Sequence, residues 1–357
     1  IKAAAQFDLA EADGVARLNQ LNLRLAGEQP VLELSAARAA EINLKERRLQ
    51  VGGSAPGEAL TLTLHGLPLA WVRPFVSAAD VSGGLITGQL AITGETDRLR
   101  LRAVQPLRIG QLNLVQAGEL LLAKADVALA FEAVLTRQEL DAAVSAFTLK
   151  TPAGDTLSAQ ARVTLPVGPD PSITIVTTYT ADLPTLLAPW LPLGHVHAAG
   201  EADFTMAEQK IELRRLLAGV KDAAGLDLVK ATALRPFIFD LATRRAEVTG
   251  ATGAVELAHV AIGRVPLSAL PFMRPGAKLG GFVTAGDLVL TVDGDKLTVR
   301  APAAFKLSDV SLTDQGQPAL TGLQIEARPL FELTGQALSL IHISEPTRLR
   351  RISYAVF

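Results

Sequence analysis

Two histidines, His195 and His197, have the residue type and spacing for metal chemistry. Side chains two positions apart on a strand point to the same face, so both imidazoles could bind one ion. The sequence shows no evident third ligand beside them, and they follow a proline-containing segment. We therefore expect a polar loop at this position and no metal site.

Two other polar groupings have simpler interpretations. Asp293-Gly294-Asp295 is similar to part of a calcium-binding loop, but it lacks the further acidic positions and the closing glutamate, so we expect a hairpin turn. Arg98, Arg100 and Arg102 alternate along the chain and could meet lipid headgroups. A solvated strand face is the expected structure.

Aromatic residues and catalytic motifs point to no reaction. Trp71, Trp190 and Phe272 could gate a ligand, but we expect them to pack short helices onto a sheet edge. The chain contains no nucleophile elbow, P-loop, dinucleotide fingerprint or HExxH motif. Its Ser, His and Asp residues cannot be assembled into a triad from sequence. We expect a non-enzymatic protein without a cofactor.

The composition excludes several classes of protein. The formal net charge of −2 provides no basic footprint for nucleic acid. The absence of cysteine excludes a disulfide framework and thiolate metal sites. Apolar residues make up 49% of the chain and aromatic residues only 4%, but no run of 18 uninterrupted apolar residues predicts a membrane-spanning helix. The apolar residues are spread along the chain in short segments.

The last twenty residues, Leu338 to Phe357, combine three arginines with apolar residues and could be read as a membrane-docking peptide. Pro346 interrupts any amphipathic helix there. The segment can be reverse-translated, in frame, into the mosaic end, read adapter and flow-cell adapter of a transposon-based sequencing library. We predict that 338–357 is translated adapter with no consistent place in the fold. We also expect that residues 1–337 are a fragment of a longer protein.

Alternation of apolar and polar residues is the main structural signal. A period of two is typical of half-buried antiparallel strands, and turn signals such as Thr151-Pro152-Ala153-Gly154-Asp155 separate the alternating segments. We predict a mainly β chain of consecutive hairpins with a few short helices. The apolar positions of these strands are the candidate groove lining: Leu99, Leu101, Leu157, Val163, Leu165, Ile173, Ile175, Leu297 and Val299.

Short helices are predicted at 67–76, 183–191 and 265–273, and weaker helical patterns occupy 14–25 and 138–145. The first three begin an internal repeat covering roughly 67–103, 183–214 and 265–300. Each copy has an apolar-Pro start, a second proline beside an aromatic residue, a small-residue stretch and an alternating strand. The motif positions are Pro68, Pro74, Gly83, Gly84, Pro184, Pro189, Pro266, Pro271, Gly280 and Gly281.

The segments GLPLAWVRPF and SGGLITGQLAITG, with the similar VPLSALPFMRPGAKLGGFVTAGDLVLTV, resemble the helix-to-strand element that recurs in AsmA-like and TamB-like proteins of diderm bacteria. The second copy departs from this pattern at His195-Val196-His197 and keeps only Gly200 of the later glycines. The resemblance implies an inner-membrane anchor in a missing N-terminal segment, a periplasmic location and a trough that moves phospholipid or serves outer-membrane biogenesis. It also implies a possible outer-membrane protein partner at the missing C-terminus, and no catalytic residues.

The expected fold is therefore an elongated, curled antiparallel sheet forming an open groove. An alternating sheet must cover its apolar face, and here the predicted helices are too few and the aromatic side chains too scarce to do so. Lipid acyl chains would complete the lining. The competing interpretation is a structural β-solenoid or sandwich module of the cell envelope that binds protein or glycan. An outer-membrane barrel is disfavoured, because its strands need aromatic girdles.

Overall fold

A computed structural model describes residues 2–12, 15–36, 38–43, 48–51, 58–71, 80–95, 98–116, 119–168, 172–187, 193–251, 253–269, 277–314, 317–334 and 337–342. The chain divides into two units, Ile1–Thr177 and Thr178–Phe357. The boundary falls within one strand, β13. The fold is mainly antiparallel β, with sheets that are open and curled and with very little helix.

Unit 1 is a meander of long strands. Alternating Leu, Val and Ala residues favour this structure, because each strand then places its apolar side chains on one face. Its strands are β1 Lys2–Ala12, β2 Val15–Ala26, β3 Pro30–Ala36, β4 Ala40–Asn43, β5 Arg48–Val51, β6 Glu58–Pro68, β7 Asp80–Ser82, β8 Leu85–Glu95, β9 Arg98–Gln116, β10 Glu119–Leu135, β11 Glu139–Lys150, β12 Thr156–Pro166 and the first half of β13 Ser172–Leu183.

The antiparallel pairings of unit 1 follow the chain. β1 pairs with β2, and the other edge of β2 is shared by β3 and β4, with β5 beyond β4. From β3 the order continues through β6, β8, β9, β10, β11 and β12, and β7 joins β9 beside β8. Seven of these eleven pairings join strands that are consecutive in sequence, so the hairpin pattern determines most of the pairings, and the other four skip at least one strand.

Unit 2 has the same architecture with shorter strands that share edges. After β13 its strands are β14 Val196–Ala207, β15 Lys210–Asp222, β16 Asp227–Ala233, β17 Phe237–Asp240, β18 Arg245–Glu247, β19 Val255–Ile262, β20 Val265–Pro266, β21 Ala277–Asp293, β22 Lys296–Arg300, β23 Phe305–Asp314, β24 Gln317–Ala327, β25 Leu330–Thr334 and β26 Ala337–His342. β15 pairs with β14 on one edge and with β16 and β17 on the other.

The remaining order of unit 2 runs from β16 through β19 to β21. The long strand β21 then divides its far edge between β23 and β22. β23 leads to β24, while β22 leads to β25 and β26. Asp293 and Lys296 close the β21–β22 hairpin around Gly294, so Asp293-Gly294-Asp295 is a turn, as expected.

Two of the five predicted helices are wrong. Residues 14–25 fall largely in β2 and residues 138–145 largely in β11. In β2, Leu21, Leu23 and Leu25 face apolar partners across the β1–β2 ladder, and this cross-strand pairing outweighs a weak helical periodicity. Helical periodicity over a short segment is a poor guide when neighbouring strands are available.

The other three helices are reduced to short turns within the described residues. A 3₁₀ turn covers Leu69–Trp71 and another covers Leu267–Ala269, each directly after the proline that ends a strand. Leu69 and Leu267, the residues after Pro68 and Pro266, are both buried. Turn geometry follows Pro184 in the second copy. Pro74, Pro189, Trp190, Pro271 and Phe272 lie outside the described residues.

The second glycine of each of these repeat pairs, Gly84 and Gly281, has a backbone conformation that residues with a Cβ rarely adopt. Gly84 has a φ of +72°, and a Cβ placed there would lie 2.0 Å from the carbonyl oxygen of Gly110 in β9. Gly281 has a φ of +104°, and its Cβ would lie 2.6 Å from the carbonyl oxygen of Ser308 in β23. A side chain is excluded at both positions, so the connection between β7 and β8 and the register shift within β21 each require glycine.

Part of the C-terminal tail has a place in the structure, which differs from the expectation. Leu338–His342 form most of β26, which is antiparallel to β25 with Leu333 opposite Leu338. The alternation of Leu338 and Leu340 in the sequence suits addition to a sheet edge, whatever the origin of the segment. Residues 343–357 lie outside the described part, and the adapter origin stays a prediction.

The buried core consists of local clusters. In unit 1, Leu64, Leu69 and Ile86 form one cluster where the first 3₁₀ turn meets the sheet. In unit 2, a larger cluster includes Leu183, Val196, Leu267 and Phe305 and is packed by Leu186, Leu187 and Leu193. A smaller one contains Ala246, Leu257 and Val292. The repeat turns therefore cover only their own stretch of each sheet.

Candidate functional site: an aliphatic sheet face

Unit 1 presents a continuous aliphatic row across seven neighbouring strands. Directly opposed residues in an antiparallel ladder point to the same face. The registers of β3 through β12 join one such row, which consists of Ala36, Leu60, Ile92, Leu101, Ala133, Ala142 and Val163. A second row parallel to it contains Leu23, Leu34, Leu62, Leu90 and Ala103. One face of the unit is thus uniformly apolar.

The opposite face of unit 1 is polar and rich in ion pairs. Arg102 Nη2 lies 2.8 Å from Glu58 Oε1, and Arg100 Nη1 lies 3.5 Å from Glu132 Oε1. Both arginines belong to the alternating set identified from sequence, and they occupy the face away from the aliphatic row. The structure agrees with a solvated strand face for this part of the set.

Arg162 of β12 forms a bidentate ion pair on this face with Asp141 of β11. Arg162 Nε donates to Asp141 Oδ1 at 2.8 Å. This hydrogen bond, with the attraction between the two charges, holds the pKa of Asp141 below its usual range despite some desolvation. It also raises the pKa of Arg162. Cross-strand ion pairs therefore order the polar face.

The aliphatic row is only partly covered by protein. All seven of its residues are half-buried and none is buried. At its margins, Leu135 is 41% exposed and Phe7 is 67% exposed. Interior positions of a packed sandwich or closed barrel would be almost fully buried. The described protein atoms therefore leave this apolar face partly exposed to solvent.

Unit 2 repeats the arrangement. Ala233, Ala258, Leu290, Val299 and Phe331 lie in direct register across β16, β19, β21, β22 and β25. Leu297 lies beside Val299 on the same face, between Val292 and Leu333. The unit 2 clusters bury one part of this face, whereas Phe331 at the far end is 37% exposed.

The predicted lining residues fall on these aliphatic faces where the register is defined. Leu99 and Leu101 face Leu135 and Ala133, and Leu165, Val163 and Leu157 face Leu140, Ala142 and Leu149. Leu297 and Val299 belong to unit 2, as above. Ile173 and Ile175 are half-buried and share one face of β13. Whether any of them touches lipid stays a prediction.

A cavity in unit 1 lies beside the first glycine pair. It encloses about 770 Å³ and is open to solvent. Its walls include Thr87, Arg108, Asp126, Thr148 and Lys150, and Thr87, Arg108 and Thr148 belong to one cross-strand row of the polar face. The mixture of two cations with one carboxylate gives this cavity no clear chemical preference.

The two histidines have a carboxylate partner that the sequence alone does not reveal. Asp182, near the end of β13, accepts a hydrogen bond from His195 Nε2 and lies 3.1 Å from His197 Nδ1 through the same oxygen, Oδ1. The two imidazole rings are 4.9 Å apart between centroids. The expectation that no third ligand is nearby is therefore wrong. Asp182 precedes His195 by 13 residues, so the contact arises from the fold and not from neighbouring positions in the sequence.

Trp71 ends the first 3₁₀ turn and is 37% exposed, so it is only partly engaged in packing.

Within the described ranges, no helix is both long enough and apolar enough to cross a membrane.

No protein-family model, curated protein sequence or solved structure matches this chain significantly.

Proposed function

We propose that this chain is a non-enzymatic envelope protein whose aliphatic sheet faces shield lipid acyl chains. The proposed role is phospholipid transport between the inner and outer membranes, or outer-membrane biogenesis. The proposed setting is the periplasm of a diderm bacterium, with a membrane anchor outside this sequence. The observation that supports the proposal best is the half-buried aliphatic row of unit 1, from Ala36 to Val163.

The energetics of this row suit an acyl chain. Burying one methylene is worth about 0.8 kcal/mol, so a chain of roughly sixteen carbons could gain on the order of 10 kcal/mol. Such a gain would offset much of the cost of leaving a bilayer. The row contains only Ala, Leu, Ile and Val, so it offers no polar anchor that would hold one lipid position. A uniform lining of this kind would let a chain slide along the sheet.

The dimensions of the face are also sufficient. Seven strands spaced by ~4.8 Å make the row roughly 29 Å long. The acyl chains of one bilayer leaflet span about half of the ~30 Å hydrocarbon core. A single row is therefore longer than one leaflet's acyl layer. A β-solenoid with a dry, side-chain-filled interior would instead bury this row, so the partial exposure favours lipid over the structural alternative.

The test compares two adjacent alanines on opposite faces of β11. Ala142 lies in the aliphatic row between Ala133 and Val163, and Ala143 lies on the polar face between Glu132 and Arg162. The chain and its Ala142→Asp and Ala143→Asp variants are extracted in mild detergent and analysed by native mass spectrometry for bound phospholipid. Circular dichroism checks that all three retain the same strand content.

We expect wild type and Ala143→Asp to retain phospholipid and Ala142→Asp to lose most of it. A carboxylate beneath an acyl chain costs several kcal/mol unless it is solvated or paired, whereas Ala143 faces water and the Arg162 guanidinium. A monodisperse, lipid-free wild-type protein would contradict the proposal. Equal loss of lipid in both variants would also contradict it.

A further inference from the structure

We propose that Asp182, His195 and His197 form a binding site for a divalent transition-metal ion of the Zn²⁺ class. Their candidate ligand atoms, one from each side chain, all lie within 4.8 Å of one another. Imidazole nitrogen and carboxylate oxygen are the ligands that Zn²⁺ takes from proteins besides thiolate, and this chain contains no cysteine. The site lies wholly within unit 2 and is independent of the lipid proposal.

The backbone around the three ligands is fixed by buried neighbours. Asp182 precedes Leu183, and His195 and His197 flank Val196. Leu183 and Val196 are both buried in the large core cluster of unit 2, at 8% and 0% exposure. Because side chains alternate along a strand, Asp182 and His197 project away from the face that carries Leu183 and Val196. His195 lies in the bend just before β14, and its imidazole reaches the same carboxylate. The apolar contacts therefore hold the ligands in place without occupying the site.

The side chains need only small movements to reach metal-binding geometry. Zinc bonds of 2.0–2.1 Å in a tetrahedral arrangement place ligand atoms roughly 3.4 Å apart. The separation of 3.1 Å between His197 Nδ1 and Asp182 Oδ1 is already close to this value. The three side chains are 39–45% exposed, so rotation about their χ angles meets little resistance. Three protein ligands leave a fourth position for water.

The surrounding charges allow a cation to bind. Lys221 lies opposite His197 in the β14–β15 ladder, and its ammonium group is 3.8 Å from Asp227 Oδ1. The positive charge next to the site is thus shared with a carboxylate. The Asp182 carboxylate lies within ion-pair distance of both imidazoles and supplies the negative charge that a divalent ion needs.

Binding would join the end of β13 to the start of β14 across the connection 184–194. This connection lies near the start of the second copy of the repeat, in which His195-Val196-His197 replaces the small residues of the other copies. The bound ion would cross-link the end of β13 and the start of β14. An ion that binds the folded state stabilises it in proportion to the logarithm of its concentration over Kd.

The experiment uses the full chain after chelator treatment and dialysis. Zn²⁺ binding is measured by isothermal titration calorimetry, and Co²⁺ is added separately so that its visible absorption reports the coordination geometry. Test variants are His195→Ala, His197→Ala and the nearly isosteric Asp182→Asn. Matched controls are His65→Ala and His259→Ala. Each of these histidines has a carboxylate partner, at 3.3 and 3.6 Å, and among the described residues neither belongs to a three-ligand cluster.

We expect one equivalent of Zn²⁺ in the wild type and in both controls, with a rise in melting temperature. Each test variant should bind at least about 10-fold more weakly, because even loss of an outer-shell partner costs 10–100-fold in affinity. The Co²⁺ spectrum should indicate four- or five-coordination and disappear in His197→Ala. Undiminished binding in the test variants, or an equal loss in the controls, would overturn the assignment, as would the absence of binding in the wild type.

Discussion

The bend at Gly84 provides a sharp test of how the repeat shapes the sheet. Replacing Gly84 by alanine would place a Cβ 2.0 Å from the Gly110 carbonyl oxygen, against an ordinary contact of 3.4 Å or more. The obstructing atom belongs to the backbone of β9, so it cannot rotate away. The φ of +72° adds a separate conformational cost for any L side chain.

The loss of stability in Gly84→Ala can be estimated from the cost of the left-handed backbone and the cost of the steric overlap. A left-handed conformation costs about 1–2 kcal/mol for a residue with a Cβ, and overpacking typically costs ~1–3 kcal/mol. Gly84→Ala should therefore destabilise the chain by about 2–5 kcal/mol. For a unit of this size, each kcal/mol lowers the melting temperature by ~2–4 °C, which predicts a loss of roughly 4–20 °C.

Two other glycines separate the contributions. Gly250 has a φ of +75°, and no atom lies within 4 Å of the position that a Cβ would take there, so Gly250→Ala should show the conformational cost alone, about 1–2 kcal/mol. Gly27 has open space and an ordinary φ, so Gly27→Ala should be neutral or stabilising by about 0.4–1 kcal/mol.

Thermal unfolding followed by far-UV circular dichroism measures the three shifts. Amide hydrogen exchange over residues 80–116 locates the damage in β7, β8 and β9. We expect faster exchange there in Gly84→Ala and no local change in the other two variants. If Gly84→Ala costs no more than Gly250→Ala, the close approach of Gly84 to β9 is wrong.

Two further predictions concern polar contacts between β11 and β12. Asp141→Asn should destabilise the protein at neutral pH. Arg162 lowers the pKa of Asp141 in the folded protein. The stability that this carboxylate contributes to the folded state is therefore fully present above its unfolded pKa near 3.9, and it is lost as the pH falls through the lower folded pKa. Urea unfolding of wild type and variant at pH 7 and below pH 4 should show the difference shrinking with acidification, and a constant difference would contradict the assigned cause. In the turn, Thr151 Oγ1 donates to Asp155 Oδ2 at 2.6 Å, and Asp155 is 1% exposed. Thr151→Val should cost ~1–3 kcal/mol in thermal unfolding and Thr151→Ser much less, because only valine removes a donor from a buried carboxylate.

The sequence predicts the candidate lining residues within each single strand, because apolar-polar alternation involves only residues close together in the chain. Leu99 and Leu101 alternate with arginines, and this pattern alone places them on one face of one strand. It does not say which residues of other strands share that face. The register through Leu101, Ala133, Ala142 and Val163 joins separate strands into one row, and it depends on bulges and turns along the whole chain.

The periodicity of a short segment predicted the wrong secondary structure where the segment can pair with neighbouring strands. The segment 14–25 reads weakly as a helix, yet its leucines pair with β1 and β3, and a strand with two partners gains more contacts than an isolated helix. The prolines and glycines of the repeat were better guides, because their restrictions act on the backbone itself. Pro68 and Pro266 end strands, and Gly84 occupies a bend that excludes a side chain.

The sequence by itself determined a mainly β chain with aliphatic strand faces. It also determined the turns and the strand ends marked by proline and glycine, since all of these depend on residues within a few positions of one another. Only the tertiary structure decided how much of the aliphatic face is covered and that Asp182 meets His195 and His197. Burial and ligand convergence depend on strands that are distant along the chain. Two histidines that appear in the sequence as a polar loop thereby become a candidate metal site.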